Sequence, residues 1–302
     1  MSDAFRDELL ARVGQPMGPS MTAPEPVNAP MVRHWVDALD DRNPLYADGT
    51  VAPPAMLQTW TMPRPTIEGI GERGGAPGAV DPDSVLAVMA KAGYTGTLAT
   101  NTELVFDRYL TEGDVVSTDS LFASIGEQKH TGLGKGYFIA WSNTWTDAAG
   151  EVVGSQLFTV FKFAPGPPPE SRGPREPKAA PDLTGEELPP LDLDVTATVI
   201  VAGALATRDF MPVHHDRDYA RAQGAPDIFM NILTSNGYVS RFVTDWAGPD
   251  VRLTRIATRL GAPAVPGNPL AFRGRVLPDG QVLVTADSVL GNHLTATVAL
   301  AR

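Results

Sequence analysis

The chain has 302 residues, enough for about two domains, and 43% of them are hydrophobic, so each half can bury its own core. A formal charge of −11 and the lack of any Lys/Arg run exclude nucleic acid as the natural partner, because phosphate recognition needs a basic patch. The absence of cysteine excludes disulfides, thiolate nucleophiles and cysteine-ligated zinc.

Residues 1–12 mix acids with bases and lack the apolar stretch of a secretory signal. The longest apolar run, residues 195–206, is about half of the ~20 residues that a membrane span requires. Its Val-Thr-Ala-Thr-Val-Ile-Val pattern reads as a strand. A cytoplasmic protein with no membrane contact is expected.

In the first half, Asp41-Arg-Asn-Pro-Leu-Tyr46 is a proline turn that sets an acid near an aromatic. The segment Pro54-Ala-Met-Leu-Gln-Thr-Trp60, continued by the residues after it, predicts one buried helix. Trp60 belongs most simply to the core, and the wall of an acyl pocket is the sharper alternative. Glu112-Gly-Asp114 predicts a tight turn, since glycine supplies positive φ. Lys129-His-Thr-Gly-Leu-Gly-Lys-Gly136 lacks the spacing of a phosphate-binding loop and predicts a hairpin. Contact of Lys129, Gly132 and Gly134 with substrate or coenzyme is the alternative reading. The alternating runs Tyr137-Phe-Ile-Ala-Trp-Ser-Asn-Thr-Trp145 and Gln156-Leu-Phe-Thr-Val-Phe-Lys-Phe163 predict half-buried antiparallel strands.

Residues 164–190 are dense in proline, which fixes φ and lacks a donor, so they cannot continue helix or sheet. They predict a linker over 167–185 between a first domain, 1–166, and a second, 186–302. The second domain repeats the first. Asp209-Phe-Met-Pro-Val-His214 stands where Asp41 to Tyr46 stood, and an apolar segment runs from Ile228 on to Trp246. Pro266-Gly-Asn268 predicts a turn, and Gln281-Val-Leu-Val-Thr285 and Leu294-Thr-Ala-Thr-Val-Ala-Leu300 predict strands. One central helix wrapped by a later antiparallel sheet, twice over, is an α+β arrangement.

Chemistry concentrates in the second copy. A carboxylate and an imidazole five residues apart across a proline turn can converge on one water, Asp209 accepting and His214 accepting or donating. That equipment suits adding water to, or removing it from, an activated double bond. His215 reads as solvent-facing or capping, and Asp216, ahead of Arg-Asp-Tyr-Ala, as an N-cap. Asp41 persists in the first copy, but Tyr46 takes the imidazole's place and, with a pKa near ~10, is a poor base. The first half therefore reads as a copy that has lost catalysis and widened its groove. Arg241, Arg255 and Arg259 are candidates for meeting phosphates, because Arg binds them bidentately. Five scattered histidines offer no metal-ligand spacing, so no metal is expected.

Asp-x-x-Pro-x-His resembles the Asp-x-Asn-Pro-x-His core of MaoC-like (R)-specific enoyl-CoA hydratases. Asp227-Ile-Phe-Met-Asn-Ile-Leu-Thr-Ser-Asn-Gly237 and Arg241-Phe-Val-Thr-Asp-Trp-Ala-Gly248 look like the bacterial branch that acts on enoyl-CoA intermediates of steroid side-chain degradation. In the first half, His34-Trp-Val-Asp-Ala-Leu39, Asn43-Pro-Leu-Tyr46 and Val51-Ala-Pro-Pro-Ala-Met-Leu57 resemble the dehydratase-like, non-catalytic partner of that branch. The resemblance implies two hotdog domains forming a pseudo-dimer, with Asp209 and His214 as the catalytic pair. It implies an acyl-CoA thioester as substrate, no cofactor beyond that coenzyme A, and a homodimer of double hotdogs. Relatives often have His-Gly at the start of the catalytic helix. Met230-Asn231 stands there in this chain, and the Asn231 main-chain N–H becomes the candidate oxyanion donor.

Three other functions share these features. A 3-hydroxyacyl thioester dehydratase would run the same chemistry backwards. A hotdog thioesterase is disfavoured because residues 228–245 offer no carboxylate before their end. A non-catalytic acyl-CoA-binding subunit is disfavoured by the retained Asp209 and His214.

Overall fold

The computed structural model describes residues 4–73, 81–166 and 185–301, so most of the expected linker, 167–184, lies outside the described residues. The first half runs α1 (Ala4–Leu10), β1 (Met21–Thr22), α2 (Ala29–Leu39), α3 (Leu57–Trp60), α4 (Val85–Lys91), β2 (Gly96–Phe106), β3 (Val116–Thr131), β4 (Gly134–Asp147) and β5 (Val152–Pro165). The second runs β6 (Leu191–Leu193), α5 (Ala197–Ala206), α6 (Arg217–Ala222), α7 (Ile232–Ala247), β7 (Arg252–Leu260), β8 (Leu270–Val276), β9 (Val282–Ser288) and β10 (Gly291–Ala301).

The ten strands of the described residues join one antiparallel sheet in the order β1-β3-β4-β5-β2-β7-β10-β9-β8-β6. The order reads the same outward from the centre in both directions, so each half is a copy of the other about the β2–β7 pair. That pair sets Asn101 opposite Arg259 and Val105 opposite Arg255. The four alternating runs read as strands fall in β4, β5, β9 and β10, and the glycine-rich hairpin joins β3 to β4.

Helix α2 starts at Asn28, whose side chain accepts from Met31 N at 3.1 Å, and Pro30 fits its first turn. Its buried stripe is Val32, Trp35, Val36 and Leu39, the i, i+3, i+4, i+7 spacing of one helical face. The counterpart α5 corrects the strand expected at residues 195–206. Its β-branched run suits a strand locally, but the Thr196 side chain caps Val199 N at 3.1 Å and the helix packs against α2, which outweighs a weak intrinsic preference. Among the described residues, no helix is long and apolar enough to cross a membrane.

The central helices differ between the copies. In the second half, α7 begins at Ile232 rather than at 228, with Asn231 as its cap, and is buried along most of its length. In the first half the expected helix shrinks to a 3₁₀ turn at Pro54–Met56 and the single turn of α3. Pro63 and Pro65 come directly after it, and proline blocks both its own amide and the helical conformation of the residue before it. One core nevertheless spans the halves, uniting Trp35, Met56 and Trp60 with Tyr238, Phe242 and Ile256.

Contact between α5 and α7 relies on a missing side chain. A Cβ on Gly203 would lie 2.5 Å from Thr234 Oγ1 and 2.6 Å from its Cγ2. Gly203→Ala gains helix propensity of about 1 kcal/mol, but overpacking against a buried β-branched residue costs about 1–3 kcal/mol. The substitution should therefore lower the midpoint of chemical denaturation; a raised midpoint would show that α5 and α7 do not pack this closely.

Candidate active site

Both copies build the same turn around their acid. Helix α5 ends in Arg208, a non-glycine residue with φ 57°, and the Asp209 N–H returns to Ala204 O at 2.9 Å. Helix α2 ends in Asp40, φ 50°, and the Asp41 N–H returns to Val36 O at 2.8 Å. Left-handed backbone costs a residue with a side chain about 1–2 kcal/mol, and both halves place it directly before the acid. Each acid then accepts from the backbone two residues on, Asp209 from Met211 N at 3.2 Å and Asp41 from Asn43 N at 3.0 Å. A 3₁₀ turn starting at proline comes next, and it delivers His214 in one half and Tyr46 in the other.

His214 is fixed from two sides. Its ring meets Phe229 edge-on at 5.0 Å, and Nδ1 lies 2.7 Å from the Phe229 carbonyl. A carbonyl only accepts, so Nδ1 carries a proton and Nε2 is left to face Asp209 Oδ2 at 3.4 Å. Asn231 donates its side-chain amide to the same Oδ2 at 3.0 Å and to Thr207 Oγ1 at 2.8 Å, while its Oδ1 caps Thr234 N at 2.8 Å. Burial by itself would push the Asp209 carboxyl up. The facing imidazole and the Met211 and Asn231 donors outweigh that and hold it below the usual carboxylate range. Burial likewise works against charge on His214, but the Asp209 carboxylate and the Phe229 carbonyl raise its pKa. The side chains differ in access, Asp209 at 20% and His214 at 7%, so the carboxylate is the more open of the two.

The first copy lacks this balance. Burial pushes Asp41 up, with no imidazole facing it, and pushes the Tyr46 phenol up as well. Tyr46 and Trp60 lie wholly in the core, not on a groove. Arg241 is engaged inside the protein, donating to Leu39 O at 2.6 Å and pairing with Asp40 and Asp245, each at 3.4 Å. Arg255 pairs with Glu103 at 2.7 Å across the β2–β7 seam. Lys129, Gly132 and Gly134 belong to the β3–β4 hairpin. Gly134 precedes Trp141 on β4 by about 24 Å of antiparallel strand, which puts the hairpin far from the residues around Asp209. Asp216 caps α6 through Tyr219 N at 2.9 Å.

A cavity of about 340 Å³ adjoins Arg208, Asp209 and Phe210, and its other walls come from the first half, chiefly Gln58, Thr118, Trp141 and Trp145. It occupies the side on which α3 stops after one turn, with Pro63 and Pro65 on its rim. Sequence reading missed these wall residues and the Asn231 amide. A signal existed, since Trp141, Asn143 and Trp145 alternate along β4 and therefore share one face. Among the described residues no group of three or more His, Cys, Asp or Glu is placed to hold a metal ion.

The raised His214 pKa stabilises the fold below the ordinary imidazole value of about 6.5, and this is lost as pH rises through the raised value. The lowered Asp209 pKa stabilises it above about 3.9, and this is lost as pH falls through the lowered value. Between those two limits both contributions are complete. Asp209→Asn should drop the His214 titration, tracked by ring-proton NMR, from above about 6.5 to below it, because burial is then unopposed by the carboxylate. An unmoved titration would mean that Asp209 is not what keeps the imidazole charged.

Comparison with known proteins agrees with the duplicated architecture. A family described as "FAS1-like, dehydratase domain region" matches residues 11–156. The chain is 50% identical over 122 residues to the 3-oxo-4,17-pregnadiene-20-carboxyl-CoA hydratase beta subunit of Mycobacterium tuberculosis, a match covering 39% of this chain and 95% of that protein. It is 37% identical over 173 residues to the probable enoyl-CoA hydratase alpha subunit of Thermomonospora curvata, covering 53% of this chain and 52% of that protein. The chain thus spans about half the length of the alpha-subunit relative and almost all of the beta subunit. A solved MaoC-like dehydratase superimposes with a TM-score of 0.73 at 23% identity, over 97% of this chain and 99% of its own, which is a likeness of fold. The chain belongs to the MaoC-like hydratase and dehydratase family, as a double hotdog.

Proposed function

We propose that this protein hydrates a trans-2-enoyl-CoA carrying a bulky acyl group of the steroid side-chain type. The observation that carries the reading is the ionised Asp209 held against His214 on a cavity lined by both halves. In this reaction a water held by the pair attacks C3. Asp209 takes one of its protons, protonated His214 gives a proton to C2, and transfer from Asp209 to His214 across their contact restores the starting state. The product is the 3-hydroxyacyl thioester. Charge gathers meanwhile on the thioester oxygen, and the Asn231 N–H is the proposed donor to it, placed where the α7 dipole adds about half a positive charge. No cofactor is needed beyond the coenzyme A of the substrate.

In this scheme residues 186–302 carry the catalytic pair and residues 1–166 house the acyl tail. The short α3 and the cavity beside it support that division. We also infer a homodimer. Leu98, Leu121, Phe138 and Leu157 are exposed on one face of the first-half sheet, Leu98 and Phe138 flanking Phe161 in one row and Leu121 and Leu157 flanking Ser142 in another, a surface suited to a second copy. Sedimentation should give twice the chain mass, falling to the single mass in Phe138→Lys; a single mass for the parent protein would remove the inference.

Enoyl-thioester absorbance should fall when purified protein meets a steroid-side-chain enoyl-CoA. Asp209→Asn and His214→Ala should each slow this by about 10²–10⁴-fold. Efficient turnover of a short-chain enoyl-CoA alone would keep the hydratase and discard the steroid tail. Variants as fast as the parent would remove the acid–base pair from the mechanism.

A further inference from the structure

A line of buried and half-buried polar side chains crosses the inner face of the first-half sheet and ends at the cavity. The Ser120 hydroxyl donates to Asn143 Oδ1 at 2.6 Å, and Asn143 Nδ2 donates to Gln156 Oε1 at 2.7 Å. Gln156 Nε2 then donates both its protons, to Gln58 Oε1 at 2.9 Å and to Thr102 Oγ1 at 3.0 Å. Asn143 and Gln156 are buried, at 7% and 3% exposure, and they sit among Trp141, Trp145 and Phe158. Polar groups in such surroundings cost free energy unless every one finds a partner.

The relay is directional, and its open end is Gln58. Each link spends an acceptor oxygen on the donor behind it and presents an amide to the next group. Gln58 Oε1 is taken by Gln156, so Gln58 Nε2 is the last donor in the series. It makes no hydrogen bond among the described residues, and Gln58 is half-buried on the cavity wall. Thr118 lines the same cavity, and its hydroxyl is buried without a partner. Thr61, Asn143, Arg208 and Asp209 also line the cavity, and the rest of its wall is apolar, with Trp141, Trp145 and Met62 prominent. An acyl group made only of hydrocarbon would cover the Gln58 amide and leave it unpaired.

We propose that Gln58 is a specificity residue whose Nε2 donates to an oxygen, a ketone or similar acceptor, carried on the acyl ring system away from the thioester. This rests on the enoyl-CoA hydratase reading and adds to it the chemistry of the tail: bulky, apolar over most of its surface, and oxygenated where it meets α3. Gln58 touches neither Asp209 nor His214 through any hydrogen bond of the structure, so its effect falls on tail selection and not on the acid–base step.

The test compares three thioesters: a polycyclic enoyl-CoA bearing a ring ketone, its analogue lacking that oxygen, and a short-chain enoyl-CoA. The parent protein should prefer the ketone by about tenfold in kcat/KM, the worth of one hydrogen bond to a partly desolvated amide. Gln58→Leu should abolish the preference, and a parent-like circular dichroism spectrum with a cooperative thermal transition verifies that the variant folds. Gln58→Glu, which offers an acceptor in place of the donor, should reverse it. Equal use of the two polycyclic substrates by the parent, or a preference that survives Gln58→Leu, overturns the proposal and leaves the hydratase reading standing. Should no thioester turn over, the hydratase reading fails, and calorimetric Kd values for the saturated ketone and deoxo thioesters still decide the role of Gln58 by the same tenfold difference.

Discussion

Everything about the site depends on one pairing, the antiparallel contact of β2 with β7. Each half alone is a five-stranded sheet, with a raw edge at β2 in the first and at β7 in the second. Joining those edges satisfies both rows of backbone groups and brings the turn that holds Asp209 over the concave face of the other half. The register of that pair therefore sets which first-half residues the carboxylate faces. Arg241 reinforces the seam from the helical side, since it reaches from α7 to the last carbonyl of α2. Truncating it would strand that carbonyl, whereas Asp40 and Asp245 are open to water and Asp40 also pairs with Arg42, so its role lies in joining the halves.

Two copies of one turn have been driven to opposite electrostatics by the side chains that surround their acids. Backbone geometry around Asp41 and Asp209 is the same down to the left-handed residue in front and the amide two places on. What differs is the facing group. An imidazole opposite Asp209 keeps the carboxylate charged in spite of burial, whereas the phenol of Tyr46 offers Asp41 no such partner and burial prevails. The asymmetry continues into the central helices. A full α7 supplies a capped, dipole-bearing N-terminus to the second site, and the single turn of α3 leaves volume in the first.

Features encoded over a few residues were legible in the sequence. Asp209 and His214 lie within one proline turn, so their approach comes from local geometry, and Asp216 declares itself as a cap. The strands were readable from alternation, and the duplication from two copies of the same turn. Readings failed where distant contacts decide. The Val-Thr-Ala-Thr run of α5 has strand periodicity, and only packing on α2 makes it helical. The burial of Tyr46 and the engagement of Arg241 with Leu39, 202 positions away, depend on how the halves meet, which no local pattern carries, whereas Trp60 lies in the core as its simplest reading had it. The shortened α3 stood between these extremes: Pro63 and Pro65 announced its end, but apolar content suggested continuation.

Because both walls of the cavity belong to one polypeptide, their encounter is intramolecular. Two separate chains would meet with a probability set by how many of each are present, and the site would fall apart on dilution. Here the local concentration of one wall around the other is fixed by chain connectivity and by the shared sheet, at a level that ordinary expression cannot change. The stoichiometry of the walls is likewise always one to one. A protein built this way can be made in small amounts without losing assembled sites, and no excess of either half can sequester substrate in an incomplete pocket.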